Sequence, residues 1–386
     1  MSTEVTAESR EVVAMVRDFV EREILPVVHQ LEHDDEYPTA IVAKMKELGF
    51  FGFAIPEEFG GSGLDYQTYA MCCEEIARGW MSITGVINTH FIVSYLIEQF
   101  GTDEQKQRFL PRMATGEMHG GFSMSEPNCG SDVQAIETRA VRDGDDYVVN
   151  GTKMWATNGE HSTVVATLVK TDPGAKPAWK GMSCILAEKT YDGFRSTKRI
   201  EKLGYKGVET TELVFENNRQ PATNLLGDVE GEGFKQMMAA IEIGRVNVAA
   251  RGVGVAQRAF ELSIGYAQQR HAFGVPIAQH QAIQLKLADM ATKITAARLM
   301  TQMAAQRKDA GERADIECGM AKLFATETCF ECVVEAMRIH GGYGYSKEYQ
   351  VERLYRDAPL LMIGEGTNEI QKLIIARGLL ERYKVS

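Results

Sequence analysis

The period of the apolar residues changes twice along this chain, and that restricts its fold more than any single motif. Up to about residue 120 apolar residues recur every three or four positions, as in Val12, Val16, Phe19, Val20 and Ile24. That spacing lines them up on one face of a helix. From about 121 to 230 the runs become short and alternating or β-branched, as in "STVVATLVK", "GMSCILAEK" and "TTELVFEN". From 231 onward helical spacing returns in long segments, including "FKQMMAAIEIGRVNVAARGVGVAQRAFELSIGYAQQR" and "QAIQLKLADMATKITAARLMTQMAA". The predicted fold is α+β and multidomain: an N-terminal helical domain (1–120), a middle antiparallel β-domain (121–230) and a C-terminal helical bundle (231–386).

Local signals sharpen these blocks. Pro38 starts a helix that Gly49 ends, and "TDEQKQRFLPRM" opens with a capping box from Thr102 to Gln105. Asp143-Gly144 between alternating residues predicts a hairpin, and Asn150-Gly151 predicts a second turn. In the first long C-terminal segment, frequent small residues predict closely packed helices.

Composition excludes several function classes. The 386 residues carry a formal net charge of -11 with no lysine- or arginine-rich cluster, which argues against binding a nucleic-acid backbone. No apolar run is expected to approach the roughly 18 to 20 residues of a membrane span. The first residues carry Glu4, Glu8 and Glu11, unlike a basic leader, so a cytoplasmic location is expected. Seven scattered cysteines do not make a disulfide framework. Cys329 and Cys332 read as small buried hydrophobes within a helix.

Some motifs carry little. "GVGVAQ" (252–257) follows no strand, so it predicts helix packing rather than a dinucleotide fingerprint. His29 and His33 sit in the polar stretch "HQLEHDDEY" and predict a solvated face; no metal site is expected. Ser123, Ser125 and Ser131 lack the surroundings of a nucleophilic serine.

Four segments carry chemistry. "FSMSEPNCGSD" (122–132) offers hydroxyls and freed backbone amides, or is an ordinary connection. "KMWATNG" (153–159) pairs the flat ring of Trp155 with Thr157, unless Trp155 is core. "RHAFGVPI" (270–277) offers Arg270 as a phosphate fork or a helix C-cap. The fourth runs from Arg338 through Gly341, Gly342 and Gly344 to Gln371, and ends in "LLMIGEGTNEIQ". There Glu365 follows an apolar run and is flanked by Gly364 and Gly366, a carboxylate left bare; Thr367 is placed to cap the next helix.

In this order, these segments resemble the acyl-CoA dehydrogenase family from about residue 8 to 383. The matching motifs are Ser125 to Asp132, Trp155 to Asn158, Arg270 to Gly274, Arg338 to Tyr345 and Tyr355 to Gln371. The resemblance implies a C-terminal four-helix bundle, a homotetramer, and FAD held across a subunit interface. It places Phe122, Met124, Ser125, Ser131, Trp155, Ala156 and Thr157 against the cofactor from one subunit. Arg270, Phe273, Gln281, Arg338, Ile339, His340, Gly341 and Gly342 would reach it from a neighbour, with Thr367, Asn368 and Glu369 beside the base. Ser131, Glu242, Arg245 and Gly366 correspond to substrate-contacting positions.

The implied reaction is α,β-dehydrogenation of an acyl-CoA to a trans-2-enoyl-CoA. Glu365 would take the α-proton, the β-hydrogen would leave as hydride to the flavin, and electrons would pass to an electron-transferring flavoprotein. The family's other base position, just before an arginine, is Gly244 here, which leaves Glu365 as the base. Gly364 stands where the family usually has tyrosine, which implies room for a wider acyl group. An acyl-CoA oxidase using O2 and a non-catalytic assembly or binding protein on the same fold are the alternatives.

Overall fold

The computed structural model describes residues 5–385. The N-terminal helices are α1 (Ala7–Phe19), α2 (Val28–His33), α3 (Thr39–Glu47), α4 (Tyr66–Phe100) and α5 (Asp103–Ala114). Pro38 precedes α3, and Gly49 follows it with a left-handed φ of 74°. Thr102 and Gln105 form the predicted capping box of α5. His29 and His33 lie on the exposed side of α2.

Helix α4 corrects the membrane expectation on length and composition. It is long and apolar enough to cross a membrane by those two measures, yet 94% of its most apolar window is buried inside the protein. Packing against α1, α5, the long C-terminal helix Gly233–Gln269 and the first β-strand uses that surface as core. The helical backbone breaks once, at buried Trp80, where φ is -154° and ψ is 108°.

The strands are β1 (Gly120–Ser123), β2 (Arg139–Asp143), β3 (Asp146–Thr157), β4 (Val164–Lys170), β5 (Met182–Glu188), β6 (Phe194–Arg199) and β7 (Thr210–Pro221). They pair in the order β1-β4-β2-β3-β7-β6, with β5 on the free side of β4. Pairing is antiparallel except where β4 meets β1 and β2. Asp143-Gly144 makes the expected β2–β3 hairpin. Asn150-Gly151 does not turn the chain. It forms a bulge within β3, where Asn150 Oδ1 accepts from the backbone of Asn217 at 2.8 Å.

Strand β4 explains why the β-domain sits between the helical ones. Val165 and Val169 enter a small core with Tyr147, Ile185, Leu213 and Phe215. Val164, Ala166 and Leu168 point the other way, into the large core shared with the helices. With side chains alternating across the strand, both faces are buried.

The C-terminal helices are α6 (Gly233–Gln269), α7 (Gln281–Asp309), α8 (Asp315–His340), α9 (Val351–Ile363) and α10 (Asn368–Arg382). A minimal hairpin, β8 (His271–Ala272) with β9 (Val275–Pro276), joins α6 to α7. The "GVGVAQ" glycines serve helix packing: a Cβ on Gly254 would lie 2.2 Å from the Glu74 carbonyl oxygen of α4. All seven cysteines are buried and free, Cys329 and Cys332 on α8 included.

Candidate active site

The break between α9 and α10, residues 364–367, contains two residues of left-handed backbone, Glu365 at φ 57° and Gly366 at φ 82°. For a non-glycine residue that conformation costs about 1–2 kcal/mol, so the surroundings must hold it. They do so from two helices. Gln371 Nε2 donates to the carbonyls of Glu365 (3.2 Å) and Gly366 (3.0 Å). Lys322 Nζ donates to those of Met362 (3.3 Å) and Gly366 (3.0 Å). Thr367 caps α10 as expected, its hydroxyl accepting from Ile370 N–H at 3.3 Å.

Residue Glu365 is half-buried, but its carboxylate lies between two buried residues. Oε1 accepts from Asn88 Nδ2 of α4 at 2.8 Å. Oε2 occupies the place a side chain at position 244 would need, 2.2 Å from a Cβ built on Gly244 of α6. Burial raises the Glu365 pKa above the ordinary carboxylate range, opposed by the Asn88 hydrogen bond and by Arg251, Arg245 and Lys322. A base of raised proton affinity, with one oxygen fixed and the other free of donors among the described residues, is suited to taking a proton from carbon.

Arg251 of α6 carries the site into the β-domain through Tyr205. Arg251 Nε donates to Asn247 Oδ1 at 2.7 Å and Nη1 to the Tyr205 hydroxyl at 3.4 Å. Tyr205 also lies beside the Thr157 side chain. Thr157 ends β3, beside Trp155, which bulges out with φ 65° and is 57% exposed, so it is not a core tryptophan.

The 122–132 loop is locked to β3. Lys153, fully buried, donates to Glu126 Oε1 (2.8 Å) and the Met124 carbonyl (3.1 Å), and Met154 N–H donates to the Ser125 carbonyl at 2.9 Å. Glu126 also accepts from the backbone of Glu137 and Thr138, so the buried pair is well satisfied. Phe122, Ser125, Ser131 and Trp155 are thereby left partly or fully exposed, and Ser123 Oγ is buried without a partner. An exposed flat ring beside free hydroxyls fits a planar, phosphate-bearing cofactor. Met124 and Ala156 line this region from the buried side.

A third group stands apart. Arg270, Phe273, Gln281, Arg338, Gly341 and Gly342 are exposed around the β8–β9 hairpin and the end of α8. Among the described residues no hydrogen bond, ion pair or ring contact joins them to the Glu365 or Trp155 groups. Phe273 is 97% exposed. Within this group the side chains of Ile339 and His340 are buried, His340 stacking on Tyr266 at 4.3 Å.

Other expected residues fall differently. Glu242 is engaged by Lys308 Nζ at 2.9 Å rather than free. Arg245 is buried, and its Nε has no acceptor. Asn368 is buried against Lys322 and Thr326, while Glu369 is exposed. Glu160, His161 and Glu209 lie close enough to suggest a metal site, but Glu209 Oε1 already accepts from both backbone amides and from His161 Nδ1, and Arg199 pairs with Glu160. Sequence reasoning missed Asn88, Tyr205, Arg251 and Lys322. The available signal was a polar residue breaking an otherwise apolar helical stretch, as Asn88 does in "TGVINTHFIV" and Lys322 in "GMAKLFA".

Known proteins share this fold. Family profiles for the acyl-CoA dehydrogenase N-terminal, middle and C-terminal domains match residues 6–117, 121–218 and 231–380. An acyl-CoA dehydrogenase of Bacillus subtilis (strain 168) is 41% identical over 97% of this chain and 99% of its own. The mitochondrial short-chain specific acyl-CoA dehydrogenase of Bos taurus is 43% identical over 95% of this chain and 89% of its own. The crystal structure of acyl-CoA dehydrogenase from Geobacillus kaustophilus superposes with a TM-score of 0.94 at 38% identity, covering 98% of this chain and 100% of that one. With three domain profiles in order and relatives aligned nearly end to end, the chain belongs to the acyl-CoA dehydrogenase family and is an FAD-dependent oxidoreductase.

Proposed function

We propose that the protein dehydrogenates an acyl-CoA thioester to a trans-2-enoyl-CoA, with Glu365 as the base. The observation that carries this reading is the seating of the Glu365 carboxylate on Gly244, inside the protein and fixed by Asn88. Asn88 keeps Oε1 as an acceptor, so the α-proton goes to Oε2. The Glu365 backbone N–H makes no hydrogen bond among the described residues and is available to the thioester oxygen, where negative charge develops. A donor of this kind is worth about 2.7–4 kcal/mol to the transition state.

FAD, when bound, supplies the acceptor for the β-hydride. Phe122, Met124, Ser125, Ser131, Trp155, Ala156 and Thr157 would hold it from one subunit. The separate third group, Arg270, Phe273, Gln281 and Arg338 to Gly342, would hold it from a neighbour, which is why a homotetramer is part of this reading. Thr367 and Glu369 close the site beside the base, Ser131, Arg245 and Gly366 face the thioester, and an electron-transferring flavoprotein takes the electrons.

Anaerobic addition of a panel of acyl-CoAs tests the proposal. Bleaching of the oxidised flavin band by at least one thioester is expected; a flavin that stays oxidised with every saturated acyl-CoA overturns it. In the same assay Asn88→Ala shifts the acid limb of the reduction rate to higher pH. A hydrogen bond to a charged group contributes about 1.5–3 kcal/mol, so reduction at the acid end falls on the order of ten-fold. An unmoved limb removes Asn88 from the mechanism.

The panel also reads substrate width. A Cβ added to Gly364 meets only the Leu360 carbonyl oxygen at 3.4 Å, so nothing in the protein replaces a side chain there. Gly364→Tyr is expected to lower kcat/KM for branched acyl-CoAs relative to straight ones by about ten-fold, the effect of one or two methylenes in a pocket. An unchanged ratio means the acyl group does not pass this position.

A further inference from the structure

Helix α8 carries one ammonium into the interior. Lys322 is fully buried and forms no ion pair among the described residues. Its Nζ has three acceptors: Asn368 Oδ1 (2.8 Å), the Gly366 carbonyl (3.0 Å) and the Met362 carbonyl (3.3 Å). All three belong to the segment that carries Glu365. One turn along α8, Thr326 shares Asn368 with it, which fixes the lysine's anchor.

An unpaired buried charge is costly, and neutral carbonyls could be met by a neutral donor. The charge itself therefore needs a reason. Glu365 is the strongest electrostatic influence on Lys322 after burial, and Lys322 in turn favours the ionised Glu365. The other groups facing this pair are Asn88 on α4, Arg245 and Arg251 on α6, Glu369 on α10 and Glu327 on α8. Glu369 is exposed and Glu327 pairs with Lys372 at 3.3 Å, so neither neutralises Lys322. Burial lowers the Lys322 pKa to about 8, and the ammonium persists at neutral pH.

We propose that Lys322 is a positioning residue for proton abstraction: it clamps the left-handed turn that aims Glu365 at Gly244, and its charge adds to those of Arg251 and Arg245 in favouring the ionised carboxylate. This rests on Glu365 being the base. The test uses the FAD-loaded enzyme, with flavin content, acyl-CoA Kd and the anaerobic reduction rate measured against pH. Lys322→Gln keeps donors but removes the charge. It should bind acyl-CoA within a few-fold of the wild type, reduce its flavin about 10–100-fold more slowly at pH 7, and move the acid limb to higher pH. Lys322→Arg restores the position of the limb even where its bulk slows the reaction. A wild-type limb in Lys322→Gln, or the same displaced limb in Lys322→Arg, overturns the proposal. If Lys322→Gln does not fold, the limb of Lys322→Arg decides alone: unmoved supports the role of charge, displaced sinks it. Glu365→Gln separates the two readings, since normal reduction in that variant removes the base itself, whereas a dead Glu365→Gln beside a normal Lys322→Gln removes only the lysine.

Discussion

Glu365→Gln is expected to give a folded protein with full flavin content whose reduction by acyl-CoA is slower by about 10³-fold or more. General-base catalysis contributes typically 10²–10⁴-fold, and neither position where a second base could stand offers a free carboxylate. Glu242 is held by Lys308, and position 244 is glycine. The glutamine is isosteric and its oxygen can still accept from Asn88, so the turn need not change. Stability follows the proton. Because burial raises the Glu365 pKa, the folded state binds this proton more tightly than the unfolded chain. Its ionised form therefore lowers wild-type stability as pH rises above the ordinary carboxylate range. Glu365→Gln removes that cost, so its Tm exceeds the wild type's at neutral pH and the two converge in acid. Higher stability with lost turnover marks a functional group; lower stability at neutral pH, or flavin reduction near the wild-type rate, refutes the assignment of the base.

How far this site could be read from sequence depends on the range of the interactions that build it. The change of period, the Thr102 capping box, the Asp143-Gly144 hairpin and the Thr367 cap all rest on residues close in sequence, and the fold contains each of them. Asn150-Gly151 carries the same local signal as Asp143-Gly144, but β7 pairs on both sides of it and turns the signal into a bulge. Glu365 was visible because its glycines and apolar lead-in are contiguous with it. Its partners were not. Asn88 is 277 positions away, and Lys322 contacts a loop more than 40 positions downstream. Trp155 was ambiguous for a related reason: only the register shift between β3 and β7 tells whether its ring faces in or out. The place of Gly244 in the motif could be read from the chain, but its physical meaning is tertiary, because the space it leaves is filled by another residue's carboxylate.

That meaning leads to a sharper expectation for Gly244→Ala. The new Cβ would lie 2.2 Å from Glu365 Oε2, 2.8 Å from Cδ and 2.9 Å from Ile92 Cδ1. The carboxylate is the end of a flexible side chain, whereas α6 is fixed against α4 and α8, so the glutamate yields rather than the helix. A displacement of about 1 Å at a reacting group can cost 10²-fold in rate, and flavin reduction should fall by about that much. The fold is spared, because alanine gains roughly 0.5–1 kcal/mol over glycine within a helix and offsets part of the local strain. Tm should therefore change little while turnover collapses. The cause is checked by shortening the base. Glu365→Asp alone withdraws the carboxylate and is slow, but in the Gly244→Ala background it also relieves the clash. The double variant should then be faster than the product of the two single effects predicts, a favourable coupling between residues in contact. Additive losses would mean that alanine acts through the helix and not through the base; a wild-type rate for Gly244→Ala would mean that Oε2 does its work somewhere other than beside α6.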